Sequence, residues 1–132
     1  MKIRHICIIA LCIALTTMMA SPVLACRCRK PGRSPGWWKH QINAHLEDKG
    51  KPHVSLSTLE DWAVRIDEYF GISPPWFYGY PLPTVDQLDY NNDGEFTVDD
   101  AYGIFSDTDW NHMWTHLANW FNWAANRRPY WG

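Results

Sequence analysis

Six residues between Asp89 and Asp100 carry oxygen at a spacing that suits a metal ion. Asp89, Asn91, Asp93, Glu95, Thr97 and Asp100 occupy positions 1, 3, 5, 7, 9 and 12 of a twelve-residue stretch. A hard cation such as calcium takes about six to eight oxygen ligands. Alternate residues of a tight loop can supply them only if the backbone turns sharply halfway. Gly94, at position 6, has no Cβ to oppose that turn. Asp89, Asn91 and Asp93 are expected to offer side-chain oxygens, and Glu95 its backbone carbonyl. Thr97 would act directly or through water, and Asp100 would close the shell. Asp89, Asp93, Glu95, Asp99 and Asp100 place five carboxylates in twelve residues. Without a cation they would repel one another. Asp, Asn and Gly also gather in ordinary turns. Such a turn needs neither an acid at position 12 nor an apolar residue at position 8, where Phe96 stands. The spacing therefore predicts a Ca2+ loop, with the ion as a structural staple that stabilises the fold by mass action.

The other candidate groups are weaker. His112 and His116 stand four apart on the last predicted helix, a spacing that can clamp zinc. The stretch between them, Met113-Trp114-Thr115, lacks the glutamate of a metalloprotease motif. Both histidines read as polar helix flank. There is no glycine-rich phosphate loop and no nucleophile in a recognisable setting. Trp37-Trp38 and the segment Trp76 to Tyr80 could stack on sugar rings. Tryptophan is, however, first of all a core-forming residue. No catalytic residue is expected.

The loop needs elements to hold it. Ser34-Pro35 reads as an N-cap with proline in the first turn, and Trp38, Ile42 and Leu46 form one apolar stripe. Gly50 and Pro52 end that helix. A second helix is expected from Ser57, with Glu60 completing a capping box. Leu59, Trp62, Ala63, Ile66, Tyr69 and Phe70 would be its buried face, and Gly71 its end. Residues 71–83 contain four prolines and four aromatics, an aromatic loop expected to pack on the helices. Thr84 to Leu88 has room for about one helical turn. Thr97 can cap a helix after the loop, with Asp100 at N3 and Ala101, Ile104 and Phe105 inward. From about Asp109 to Asn126, Trp110, Met113, Trp114, Leu117, Phe121 and Ala124 recur at helical spacing. Arg127 and Arg128 suit its dipole, and Pro129 stops it. No strand signal competes. The expected fold is all-α, four or five helices around a Trp-rich core.

Bulk properties set the context. Lys2, Arg4 and His5 precede an apolar run, Ile6 to Ala20, and small residues precede a possible cut after Ala25. This pattern predicts a signal peptide over residues 1–25. Its removal takes 25 of the 132 residues and leaves 107. The remaining chain has 10 basic and 14 acidic side chains, a formal charge of −4 that disfavours a nucleic-acid partner. It keeps all 9 Trp, 6 Tyr and 5 Phe, enough to build a small core without disulfides. Only Cys26 and Cys28 remain, so no disulfide framework exists. Cys26 would be the first residue after the cut, where a bacterial-type lipoprotein carries its lipid anchor. No later segment is apolar enough to span a bilayer. Residues 26–33 read as a basic flexible tail, and 34–132 as a single helical domain containing the loop 89–100.

The stretch Asp89 to Asp100 resembles an EF-hand loop. With Asp rather than Glu at position 12 it is similar to one half-repeat of the dockerin modules of cellulosome-type enzymes. A dockerin has two such repeats, and this chain shows one. Separately, Ser34-Pro35-Gly36-Trp37-Trp38-Lys39-His40 resembles the P-G-aromatic-W-K stretch of a group of secreted prokaryotic proteins. Trp120-Phe121-Asn122-Trp123-Ala124-Ala125-Asn126 matches a run near the end of that group. The group has no assigned activity, so the resemblance implies an extracellular setting and little more. The function expected is a secreted, non-catalytic calcium-binding module for adhesion or surface association. Its partner would be an extracellular protein or polysaccharide. The alternative is a dockerin-like or sugar-stacking module associated with polysaccharide breakdown.

Overall fold

The computed structural model describes residues 29–72 and 82–131. Helix α1 spans Pro35–Leu46, α2 Leu56–Asp67, α3 Val98–Ser106 and α4 Trp114–Ala124. Short 3-10 helices cover Val85–Leu88 and Thr108–Met113. Among the described residues there is no strand. One isolated parallel bridge joins Lys30 to Arg127. The class is all-α, as the periodicity predicts.

Helix α4 is the centre. It packs on α1, α2 and α3, and is buried nearly all round, with Leu117, Ala118, Asn119, Trp120, Phe121, Asn122 and Ala124 inside. Trp38 of α1 stacks on Phe121 (5.3 Å between rings) and meets Trp62 of α2 edge-on (5.7 Å). Indole rings combine large apolar area with one N–H that needs an acceptor when buried. Each central indole has one. Trp38 Nε1 donates to Asn122 Oδ1 (3.1 Å), Trp120 Nε1 to the Pro83 carbonyl (3.1 Å) and Trp114 Nε1 to the Ile104 carbonyl (2.7 Å).

The helix ends partly follow the sequence signals. Ser34 caps α1, its Oγ accepting from Trp37 N–H. The stripe on α1 weakens at its end, where Leu46 is exposed. Helix α2 starts earlier than expected. Its N-cap is Ser55, whose Oγ accepts from Thr58 N–H, so Ser57 and Glu60 lie inside the helix. It stops at Asp67, before Gly71, and Phe70 is exposed. The expected long last helix is two pieces. Asp107 caps a 3-10 segment, its side chain accepting from Asp109 N–H, and regular α-helix begins only at Trp114. The turn before the acidic loop is likewise 3-10.

The described part of the basic segment, residues 29–33, runs beside the chain end and is tied to it at several points. The aromatic residues Trp76, Phe77, Tyr78 and Tyr80, and the predicted signal segment with Cys26, lie outside the described residues. No described helix is long and apolar enough to cross a membrane.

Candidate metal centre

The acidic loop begins where the 3-10 helix Val85–Leu88 ends and closes where α3 begins. Val85 and Leu88 are fully buried and fix its start, and Phe96 and Val98 fix its exit. Phe96 faces the core, as position 8 predicts, and its ring lies 6.3 Å from that of Phe121. Gly94 takes φ +88°, a left-handed conformation that side chains with a Cβ rarely adopt. Thr97 and Asp100 form the expected capping box on α3.

This path gathers three carboxylates. One oxygen each from Asp89, Asp93 and Asp100 lie within 4.8 Å of one another. Asp100 is almost completely buried and Asp89 is only 7% exposed, whereas Asp93 faces solvent. The loop's own N–H groups orient them. Asp89 Oδ2 accepts from Gly94 N–H (2.9 Å), and Asp93 Oδ1 from Glu95 N–H (2.9 Å). Asp100 Oδ1 accepts from Asn91 N–H (3.2 Å), and its Oδ2 from the Thr97 N–H (2.9 Å) and hydroxyl (3.0 Å). Asp89 Oδ1, in contrast, is shielded from solvent and has no hydrogen-bond partner. A buried carboxylate oxygen without a donor is costly. A cation bound at Asp89 Oδ1 would remove that cost. The donor set is all oxygen, which suits calcium or another hard cation.

The other expected ligands sit around this triad. Asn91 is bonded to Asp93: its Oδ1 accepts from Asp93 N–H (3.1 Å) and its Nδ2 donates to Asp93 Oδ2 (3.0 Å). The Thr97 hydroxyl is engaged by Asp100. Glu95 is exposed. The structure thus brings Asp89, Asp93 and Asp100 together and links Asn91 and Thr97 to them.

Two clamps carry no sequence signal. At the exit, Phe96 N–H donates to Asp67 Oδ1 (2.7 Å), the last residue of α2. On the other side, Tyr90 lies across α3 at Gly103, where an added Cβ would stand 2.4 Å from the ring. The Tyr90 hydroxyl donates to Asp107 Oδ2 (3.1 Å), and its ring meets Trp110 at 5.4 Å. That hydrogen bond, together with the charge of Asp107, raises the Tyr90 pKa above its ordinary value. Asp67→Ala removes the acceptor of a buried segment's amide and is expected to cost about 1–3 kcal/mol. Asp67→Asn, which keeps an oxygen there, should cost less. Urea melts of the two variants make the check, and an Asp67→Ala protein as stable as the parent would remove the clamp from the account.

The histidines do not assemble a second centre. Asp89, Asp93 and Asp100 are the only group of three or more metal-ligating side chains gathered among the described residues. His112 stacks on Trp110 with ring centres 6.5 Å apart. His116 is half-buried, and burial, then the neighbouring His112, hold its pKa below the ordinary value. Trp37 and Trp38 do not form an exposed platform either, since Trp38 is fully buried and Trp37 meets it edge-on at 4.8 Å. Comparison with known proteins gave no match to a family model, to a curated protein or to a solved structure.

Proposed function

We propose that this protein is a non-catalytic calcium-binding module in which the ion is structural, and that it acts outside the cell in adhesion or surface association. The observation that carries the calcium reading is the gathering of the Asp89, Asp93 and Asp100 carboxylates, with Asp89 Oδ1 shielded from solvent and unpartnered. The loop resembles an EF-hand or dockerin half-repeat in its ligand order, its glycine at position 6 and its acid at position 12. It stands alone, held by α2 and α3 rather than by a second loop. The short arm of Asp100 favours a weak site, and the millimolar calcium found outside cells is matched by sites of that kind. Binding to the folded chain then raises stability as RT ln(1 + [L]/Kd). The extracellular setting is supported by the signal-like residues 1–25.

Calorimetric titration of the full-length protein tests the site. Calcium should bind at one ion per chain, and magnesium more weakly, because it demands near-octahedral geometry and gives up water reluctantly. Absence of a calcium isotherm at millimolar concentration would end the proposal.

A further inference from the structure

All 14 Asp and Glu residues lie between Glu47 and Asp109. The two ends of the described chain therefore carry no side-chain carboxylate, and the fold brings those ends together. Lys30 bridges Arg127, and Arg128 N–H donates to the Lys30 carbonyl (3.0 Å). Arg127 Nη1 donates to the Pro31 carbonyl (3.1 Å). Asn122, buried on α4, brackets the backbone of Arg33: its Oδ1 accepts from Arg33 N–H (2.8 Å) and its Nδ2 donates to the Arg33 carbonyl (3.0 Å). The approach is close enough that a Cβ on Gly32 would stand 2.3 Å from the Arg128 carbonyl oxygen. Arg65 of α2 reaches the same end and donates to the Ala124 carbonyl (2.9 Å).

This ribbon gathers Arg29, Lys30, Arg33, Arg127 and Arg128. All but Arg127 are exposed. Among the described residues the sole ion pair is elsewhere, between Lys49 and Glu47 (3.7 Å). Burial and the charge of Arg33 lower the pKa of Arg127, as expected where cations crowd. Concentrating like charge opposes folding. Here backbone bonds hold the ribbon in place, the Arg33 guanidinium lies over the Trp37 ring (4.8 Å), and the charged ends of Arg29, Lys30 and Arg128 are left to solvent. On a chain whose net charge is negative, this is an electrostatically distinct, fixed surface.

We infer that the Arg29–Arg33/Arg127–Arg128 ribbon docks on an anionic phospholipid surface. Charge selects an anionic partner. One feature selects a bilayer over a soluble polymer. Trp131, 59% exposed, stands three residues after Arg128 in the chain and has the amphipathic ring favoured at the headgroup level. The inference rests on the surface-association half of the proposed function and not on the calcium half.

Vesicle co-sedimentation of the full-length protein in EGTA tests it. Vesicles of phosphatidylcholine alone give the baseline, and the gain on adding about one-third phosphatidylglycerol reports the ribbon. Each surface cation contributes about fivefold in affinity to an anionic leaflet. Arg29→Gln/Lys30→Gln/Arg128→Gln should therefore lose about a hundredfold of the gain. Raising salt to about 0.5 M should also suppress the gain. Arg29→Lys/Arg128→Lys should keep it, and circular dichroism shows whether each variant is folded. Equal binding to both vesicle types overturns the inference. So does binding to dextran sulfate with none to anionic vesicles, which would assign the ribbon to an acidic polymer. A protein that binds anionic vesicles in EGTA but shows no calcium isotherm would sink the calcium reading and leave this one standing.

Discussion

Trp38→Ala is expected to lower the stability of the protein by about 3–5 kcal/mol. Trp38 is fully buried, stacks on Phe121, meets Trp37 and Trp62 edge-on, and hydrogen-bonds Asn122. The truncation empties the junction of α1, α2 and α4 together. Typical domains have only about 5–15 kcal/mol in hand. The melting temperature should fall by about 12–40 °C, at roughly 4–8 °C per kcal/mol for a domain of this size. Trp38→Phe should do less harm, because it keeps a ring against Phe121 and gives up mainly the indole N–H. Urea denaturation followed by circular dichroism measures both. A loss of under about 1 kcal/mol for the alanine variant would show that the core is organised elsewhere.

Asp89→Asn should abolish most of the protein's response to calcium. The amide oxygen can still accept from Gly94 N–H, which Asp89 Oδ2 holds at 2.9 Å. The substitution removes one charge from the crowded triad. In chelator, the variant should therefore be at least as stable as the parent, through relief of like-charge repulsion. In calcium the order should invert. At about a hundredfold excess over Kd the parent gains about 2.7 kcal/mol and the variant little. Melting curves of both proteins in the two buffers give the four numbers required. Equal calcium responses would exclude Asp89 as a ligand.

Much of this was legible before any coordinates. Ser34-Pro35 marks the start of α1 because side-chain acceptor and fixed φ act locally. The capping box of Thr97 and Asp100 is read in the same way, and so is the turn at Gly94. Other features depend on tertiary choice. Ser57 reads as the cap from its spacing to Glu60, whereas the structure places Leu56 inside the helix, so that Ser55 takes the role. The single step of three from Trp110 to Met113 fits 3-10 and α-helix alike. Asp107 decides between them by capping a short 3-10 segment. Asp67 sits 29 residues from the amide that it receives, beyond any local pattern. Asn119 and Asn122 read as polar interruptions of an apolar helix face. In the fold they hold the two chain ends, since Asn119 Oδ1 accepts from Tyr130 N–H (2.7 Å) just as Asn122 grips Arg33. The clustering of cations at those ends was present in the sequence as two separate short runs. The bridge between Lys30 and Arg127 and the hydrogen bonds around it make them one surface.

The most direct measurement is scanning calorimetry of the full-length protein, first in EGTA and then across a millimolar range of calcium. If an ion ties the acidic turn to a tryptophan core, the transition climbs by about 10 °C or more at saturation, with the gain set by the free-ion concentration. Superimposable transitions in chelator and in calcium would contradict that account.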